Sequence, residues 1–207
     1  MSGQTPSPSI TGIILTGFMG AGKSTSGALL AERLGWRFAD SDALVEARAG
    51  MTVAEIFERQ GEAAFRQMEA EAVREAAGLA HTVLALGGGG LESAATREFL
   101  FKRESCRVVF LEAPLDTLID RCAGQPNAPV RPVLRDREGL AARWQARLPL
   151  YRQAHLTVAT ADRSPEAVVD CILAELQRLE EAARLVAPGP GRVGQTGTAR
   201  SAGGGRA

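Results

Sequence analysis

The sequence has few cysteines, no excess of charge of either sign and no long apolar run, and each of these absences excludes a class of protein. Its three cysteines, Cys106, Cys122 and Cys171, form no C-x-x-C pair, which argues against a disulfide framework and against a zinc site. Lys plus Arg and Asp plus Glu both number 24, so no global basic field favours nucleic acid or an anionic membrane.

Apolar stretches are also short compared with the roughly 18 residues that a membrane span needs. Residues 1–9 lack the charged and apolar regions of a signal peptide. We therefore expect a cytoplasmic, monomeric protein that binds neither nucleic acid nor membranes.

What the 207 residues do contain is an alternation of strand-like and helix-like stretches. This alternation is typical of a parallel sheet covered by helices on both faces. We predict an α/β fold with a five-stranded parallel sheet sandwiched by helices. The predicted strands are 12–16, 37–40, 82–86, 107–111 and 156–159, and the predicted helices are 26–34, 43–49, 62–77, 115–122, 138–148 and 165–185.

A single domain is expected over residues 10–185. Residues 1–9 and the Gly- and Pro-rich tail 186–207 have compositions that cannot bury a core, and both are predicted to be disordered. Between the second and third strands, residues 42–78 are longer than a simple crossover needs, which suggests a helical insertion for substrate binding. There Thr52 and Glu55 match a capping box, and Gly61 separates two helical segments.

The most specific motif is GFMGAGKST at residues 17–25, which matches G-x-x-x-x-G-K-[ST] and lies between an apolar strand and a helix. In that geometry backbone N–H groups surround a phosphate chain at the positive end of the helix. Lys23 would reach the β- and γ-phosphates, and the Ser24 hydroxyl would hold Mg²⁺. The residues predicted to bind the triphosphate are Gly20, Ala21, Gly22, Lys23, Ser24 and Thr25.

Two carboxylates, Asp40 and Asp42, follow the second strand, whose carboxyl end should lie near this loop. One of them could serve Mg²⁺ or accept the proton of an acceptor hydroxyl, while the other binds neighbouring hydroxyls. Asp42 could also simply cap the helix that follows, and the two roles are compatible. No N-K-x-D guanine signature occurs, which disfavours a GTPase.

Four glycines at 87–90 follow the third strand and would let a ligand approach the backbone, unless they form only a flexible loop. Phe57 and Phe65 lie in the helical insertion and are interpreted as core residues first and pocket walls second. Residues 123–137 contain three prolines and three arginines without periodicity, which indicates a mobile lid that brings Arg131 over a phosphate.

The chain resembles the shikimate kinase family in six motifs that occur in the family's order across residues 12–151. They are GFMGAGKST at 17–25, FADSD at 38–42, GEAAFR at 61–66, LGGG at 86–89, VRPVL at 130–134 and RLPLY at 147–151. The resemblance implies a nucleoside-monophosphate-kinase-like fold and transfer of the ATP γ-phosphate to the 3-hydroxyl of shikimate, a step towards chorismate and the aromatic amino acids. It also implies ATP as co-substrate and Mg²⁺ as cofactor.

The same resemblance assigns roles to individual residues. Arg66 and Arg147 would bind the shikimate carboxylate, and Asp42 its hydroxyls, which suits the chemistry of guanidinium and carboxylate groups. Shikimate would also contact the backbone of Gly87, Gly88 and Gly89 and the rings of Phe57 and Phe65. Asp40 would lie near Mg²⁺ and the reacting hydroxyl, and Arg131 would be the arginine of the lid. Adenine would contact Arg121 and Pro165. Two alternatives stay open: another small-molecule kinase, such as one acting on gluconate, and a nucleotide-binding regulatory module without activity.

Overall fold

The computed structural model describes residues 10–124 and 136–186. The N-terminal segment 1–9, the tail from residue 187 and most of the predicted lid, including Arg131, lie outside the described residues.

The five predicted strands form one sheet in which every neighbouring pair is parallel. The strands are β1 (Gly12–Thr16), β2 (Arg37–Asp40), β3 (Thr82–Ala85), β4 (Cys106–Glu112) and β5 (Leu156–Ala159). Their order is β2-β3-β1-β4-β5. Three strands have the predicted bounds, β3 is one residue shorter, and β4 is one residue longer at each end. The predicted α/β fold is confirmed.

The strands in the middle of the sheet are continuous apolar runs because helices cover both of their faces. Every residue of β1 and of β3 is buried. The edge strand β2 has no fully buried residue. Ile14, Leu84 and Val108, one from each of three adjacent strands, are at most 1% exposed and mark the centre of the main core.

Seven helices surround this sheet in the described residues. They are α1 (Lys23–Leu34), α2 (Ser41–Ala49), α3 (Val53–Gly78), α4 (Ala94–Phe101), α5 (Leu115–Ala123), α6 (Arg137–Tyr151) and α7 (Pro165–Val186). Ser164 caps the start of α7, since its Oγ accepts the Ala167 N–H at 3.3 Å. Helix α4 was not predicted. Within the described part of the chain, no helix has both the length and the apolar character to cross a bilayer.

Helix α3 contains both local signals that the sequence indicated. Thr52 and Glu55 form a full capping box, with the Thr52 N–H donating to Glu55 Oε2 at 2.8 Å. Gly61 interrupts the helix with φ 82° and ψ 169°, a conformation that favours glycine. Helix α3 therefore consists of two helical segments that meet at Gly61.

The N-cap of α2 differs from the sequence interpretation. Asp40, and not Asp42, caps this helix, because Asp40 Oδ1 accepts the N–H groups of Asp42 at 3.0 Å and of Ala43 at 3.4 Å. An N-cap residue needs extended backbone. Asp40 has it as the last residue of β2, with φ −123° and ψ 125°. Asp42 lies in the first helical turn instead.

A second, smaller core holds the insertion together and consists of Val45, Ile56, Phe65 and Ala72. Phe65 is 3% exposed, as expected of a core residue, whereas Phe57 is 37% exposed. The interpretation of Phe57 as a core residue was wrong, because the adjacent Ile56 takes the buried face of this helical turn. The two phenyl rings nevertheless contact each other, with centroids 4.8 Å apart.

Candidate active site

The loop between β1 and α1 depends on three glycines in the left-handed region of backbone conformation. Gly17, Gly20 and Gly22 have φ values of 142°, 76° and 87°. A Cβ atom on Gly17 would lie 2.7 Å from the Leu111 carbonyl oxygen, and one on Gly20 would overlap that of Leu118. Glycine is therefore required both for the conformation and for the close packing of the loop on β4 and α5.

This loop leads directly into α1, so the first turn of the helix lies at the site. Gly22 is the N-cap residue, and no side chain caps the helix. The first backbone N–H groups of a helix have no partner within it, and together with the helix dipole they form an anion site. Lys23 Nζ donates to the carbonyl oxygens of Gly17 at 2.9 Å and of Phe18 at 3.0 Å, so its ammonium group lies against the same loop.

A hydroxyl and a carboxylate face each other beside the loop. Ser24 Oγ donates to Asp40 Oδ2 at 2.7 Å. Hydroxyl and carboxylate oxygens are the hard ligands that Mg²⁺ prefers, and this ion usually takes only one or two of them from the protein and the rest from water and phosphate. The described residues contain no cluster of three or more His, Cys, Asp or Glu with the arrangement of a metal site. Ser24 and Asp40 together therefore suit a Mg²⁺ ion whose remaining ligands are water and the oxygens of a bound phosphate.

A cavity of about 660 Å³ opens over the loop. Its walls combine the loop from Met19 to Ser26 with Asp40, Asp42, Gly87, Gly88, Arg121 and Pro165. Arg121 is fixed there, since its Nη1 donates to Thr160 Oγ1 at 3.0 Å. The structure thus brings the predicted triphosphate, hydroxyl and adenine residues to one cavity.

A cluster of two arginines and two glutamates lies next to the glycine run that follows β3. Arg66 of α3 and Arg147 of α6 come from distant parts of the chain, and both donate to Glu92 Oε2, at 3.1 Å and 2.9 Å. Arg66 Nη1 also donates to Glu69 Oε2 at 2.7 Å. The arginine side chains are only 21% and 11% exposed. Two largely buried guanidinium groups, from two distant helices, therefore converge on the Glu92 carboxylate.

The glycine run packs against both arginines and against the carboxyl groups of Asp42 and Glu69. A Cβ atom on Gly87 would overlap Asp42 Oδ1 and lie 2.6 Å from Glu69 Oε1, and one on Gly89 would overlap the Arg66 guanidinium. The Gly88 carbonyl accepts the Tyr151 hydroxyl at 2.5 Å. Burial raises the pKa of this phenol well above its usual range, so Tyr151 stays a neutral donor.

The two buried carboxyl groups beside Gly87 are electrostatically unusual. Burial, with the negative charge of Asp40 as the next cause, raises the pKa of Asp42, and the opposing charges of Lys23 and Arg66 are weaker. Burial also raises the pKa of Glu69, against the hydrogen bond from Arg66. Glu69 is 4% exposed, and its Oε1 has no hydrogen-bond partner among the described residues. This oxygen is a buried acceptor that packs against Gly87 and Gly90.

Sequence reasoning missed Glu69, Glu92 and Tyr151. Glu69 could have been found, since it lies three residues after Arg66 on one helix and therefore on the same face. Glu92 and Tyr151 carried no local signal. Of the predicted residues, Phe65 lies beside the arginine cluster, with the Arg66 guanidinium carbon 5.3 Å from its ring centroid. Arg131 lies outside the described residues.

The sheet, the phosphate loop and the adjoining polar pocket define an ATP-dependent phosphotransferase of the phosphate-loop class. The family model described as shikimate kinase matches residues 19–177, and the chain belongs to the shikimate kinase family. The fold, the family and the kinase class implied by the sequence motifs are confirmed.

Individual relatives agree with this assignment. The chain is 46% identical to the shikimate kinase of Geobacter sulfurreducens over 157 residues, which are 76% of this chain and 86% of the relative. It is 41% identical to the shikimate kinase of Thermus thermophilus over 180 residues, 86% of this chain and 96% of the relative.

Solved structures give the same result. The shikimate kinase from Acinetobacter baumannii in complex with shikimate is similar with a TM-score of 0.77 and 36% identity, covering 84% of this chain and 96% of that one. A gluconokinase from Sinorhizobium meliloti is similar with a TM-score of 0.60 and 20% identity, and the match covers 88% of this chain and 99% of the gluconokinase. At that identity the gluconokinase shares the fold alone.

Proposed function

We propose that this protein transfers the γ-phosphate of ATP to the 3-hydroxyl of shikimate, giving shikimate 3-phosphate and ADP. The observation that carries the proposal is the convergence of Arg66 and Arg147 on one point, beside a glycine run that also packs against the carboxyl groups of Asp42 and Glu69. Shikimate has a carboxylate on one side of its ring and three hydroxyls on the other. The two arginines suit the carboxylate through charge-assisted bonds, and the two acids suit the hydroxyls.

The relative positions of the two pockets support direct transfer. Asp42, Gly87 and Gly88 line the same cavity as the phosphate loop, so an acceptor held between Asp42 and the arginines would face the end of a triphosphate. Phe57 offers a partly exposed ring 4.8 Å from that of Phe65, which gives the carbocyclic ring an apolar surface. The backbone of Gly87 to Gly89 completes this acceptor side.

On the nucleotide side, the proposal assigns the triphosphate to residues 20–25 and the adenine to the region of Arg121 and Pro165. Lys23 is placed to stabilise the charge on the transferring phosphoryl group. Mg²⁺, when held by Ser24 and Asp40, supplies further neutralisation of the phosphate charge. Arg131 is proposed to add positive charge from the lid.

The contacts of the two aspartates favour Asp42 as the proton acceptor. Asp40 already accepts hydrogen bonds from Ser24 and from the backbone N–H groups of residues 42 and 43. The Asp42 carboxyl has a raised pKa, so its ionised form is a stronger base, and it lies in the cavity wall. We therefore assign the acceptance of the hydroxyl proton to Asp42. Asp40 is left to bind the cation and to hold Ser24 and the start of α2 in place. This assignment revises the role that the resemblance gives to Asp40.

We propose that the protein is a cytoplasmic monomer and that its reaction is a step of aromatic amino acid biosynthesis. The cysteines support a reducing compartment: Cys106, Cys122 and Cys171 form no disulfide in the described residues.

The decisive experiment measures coupled ADP release with shikimate, with gluconate and without acceptor. We expect ADP formation that depends on shikimate and on Mg²⁺, with the product identified by mass spectrometry. The Lys23→Ala variant, purified in the same way, excludes a contaminating kinase. Turnover with gluconate alone, or with neither acid, would reject the proposal.

A further inference from the structure

Glu92 holds an unusual place, because its side chain is the shared partner of both arginines of the acceptor pocket. Its Oε2 lies 3.1 Å from Arg66 Nη2 and 2.9 Å from Arg147 Nη2. A single carboxylate oxygen between two guanidinium groups is the arrangement that a bound organic acid would adopt there. The protein thus supplies a carboxylate of its own at that point.

The backbone of Glu92 is fixed, whereas its side chain can leave. Its N–H donates to the Gly89 carbonyl at 2.8 Å, and its own carbonyl accepts Arg97 Nη1 at 3.0 Å. Its side chain is 37% exposed, so rotation can carry the carboxylate from the arginines into water. The loop need not move for the position between the guanidinium groups to be vacated.

Glu92 also leaves donors of the pocket unused. Arg147 is 11% exposed, and its buried Nε has no hydrogen-bond partner among the described residues. A carboxylate that presents both oxygens to this guanidinium can use donors that one oxygen of Glu92 does not reach. An incoming acid can therefore satisfy the pocket better than Glu92 does.

Resting on the function proposed above, we propose that Glu92 occupies the carboxylate subsite of the free protein and that the carboxylate of the acid substrate must displace it. The two carboxylates cannot share the subsite, because like charges held against the same pair of guanidinium groups repel each other. Displacement lowers the apparent affinity for the acid.

The test is Glu92→Gln, which keeps the size of the side chain and removes its charge. The KM for shikimate is expected to fall about fivefold, in line with the strength of partly exposed ion pairs. The kcat and the KM for ATP are expected to stay within twofold, because Glu92 contacts neither the phosphate loop nor Asp42 in the described contacts. Glu92→Ala, which removes the competing carboxylate altogether, is expected to lower the KM for shikimate in the same direction.

Glu62→Gln is the matched control, since it removes one negative charge from the surroundings of the same arginine. Glu62 lies 3.2 Å from Arg66 Nη2 and is 63% exposed, and within the described residues it forms no ion pair with Arg147. Its KM for shikimate is expected to stay within twofold. An equal fall in both variants would show a general field effect and overturn the displacement proposal.

A neutral ligand separates displacement from a structural role. The methyl ester of shikimate cannot compete for the guanidinium pair as an anion, so its dissociation constant is expected to be the same in wild type and Glu92→Gln. A KM for shikimate that is unchanged or higher in a folded Glu92→Gln protein would overturn the inference. Absence of shikimate-dependent ADP release in the wild type would instead reject the proposed function, so the two failures are distinguishable.

Discussion

Ser24 and Asp40 are joined by a 2.7 Å hydrogen bond between Oγ and Oδ2, although the strands that lead to them are not neighbours in the sheet. Ser24 lies in the first turn of α1, after β1, and Asp40 ends β2, with β3 between the two strands. The bond therefore connects the phosphate loop with the start of the helical insertion. It places a hydroxyl and a carboxylate at the boundary between the pockets that we propose for the nucleotide and for the acceptor.

The first prediction concerns the ammonium group of the same loop. Lys23→Ala is expected to lower kcat by about three orders of magnitude, because Lys23 would stabilise charge that develops on the transferring phosphoryl group. The fold should persist, since the carbonyls of Gly17 and Phe18 to which Lys23 donates belong to the phosphate loop and not to a strand or helix. Coupled ADP release measures the first effect and circular dichroism the second.

Lys102→Ala serves as the control for Lys23→Ala. Lys102 is 74% exposed and pairs with Glu98 on the surface of α4. Its kcat should match that of the wild type. Near-normal turnover of Lys23→Ala would contradict the assigned role.

A second prediction follows from the buried charge of Asp42. Asp42→Asn is expected to abolish most of the activity and yet to raise the free energy of unfolding by about 1 kcal/mol at pH 8, or the Tm by about 2–4 °C. The reason is that burial disfavours the ionised carboxylate, as its raised pKa indicates. Chemical denaturation of both proteins across a pH series measures the difference.

The pH dependence of that difference has a definite sign. A carboxyl whose pKa is higher in the folded state than in the unfolded state destabilises the fold once it ionises. The advantage of Asp42→Asn should be complete above the raised folded-state pKa and should shrink as pH falls from there towards the ordinary value of 3.8. An Asp42→Asn variant less stable than wild type at every pH would refute this explanation.

The sequence predicted the fold well because its signals are local. Continuous apolar runs identify the buried strands, and the glycine, lysine and serine of the loop at 17–25 identify the phosphate site without any knowledge of distant residues. Helix α4 was not predicted because it has only eight residues, and its large apolar residues Phe99, Leu100 and Phe101 are consecutive and not spaced three or four apart.

The acceptor pocket was only partly predictable because its contacts connect distant parts of the chain. Glu92 is 26 residues from Arg66 and 55 from Arg147, and nothing in its neighbourhood indicates either contact. The roles of the two aspartates also needed coordinates. Either residue of an Asp-x-Asp sequence can cap a following helix, and the choice of Asp40 depends on where β2 stops.

A third prediction tests the carboxylate side of the pocket. Arg147→Ala is expected to raise the KM for shikimate by about 30- to 100-fold, since a largely buried charge-assisted bond to a substrate contributes about 2–3 kcal/mol. Arg147→Lys should recover only part of the loss, because an ammonium group cannot make the paired contacts of a guanidinium. The KM for ATP should stay near that of the wild type.

The control for Arg147 is Arg152→Ala, directly after α6. Arg152 is 64% exposed and lies 3.9 Å from Glu112. Its loss should leave both KM values unchanged. If Arg147→Ala altered the affinity for ATP alone, its assignment to the acceptor pocket would be wrong.

The last prediction separates backbone strain from steric overlap in two glycines of similar conformation. Gly20 in the phosphate loop has φ 76° and Gly35 at the end of α1 has φ 65°, so an alanine at either position is strained by about 1–2 kcal/mol. The surroundings differ, since a Cβ on Gly35 would meet no atom within 4 Å, whereas one on Gly20 would overlap the Leu118 carbonyl oxygen. Overpacking against backbone costs about a further 1–3 kcal/mol.

Urea denaturation should therefore show a clearly larger loss of unfolding free energy for Gly20→Ala than for Gly35→Ala, with unchanged m-values. Only Gly20→Ala should also weaken ATP binding, measured by calorimetry. Equal losses of stability in the two variants would mean that the loop can move away from α5.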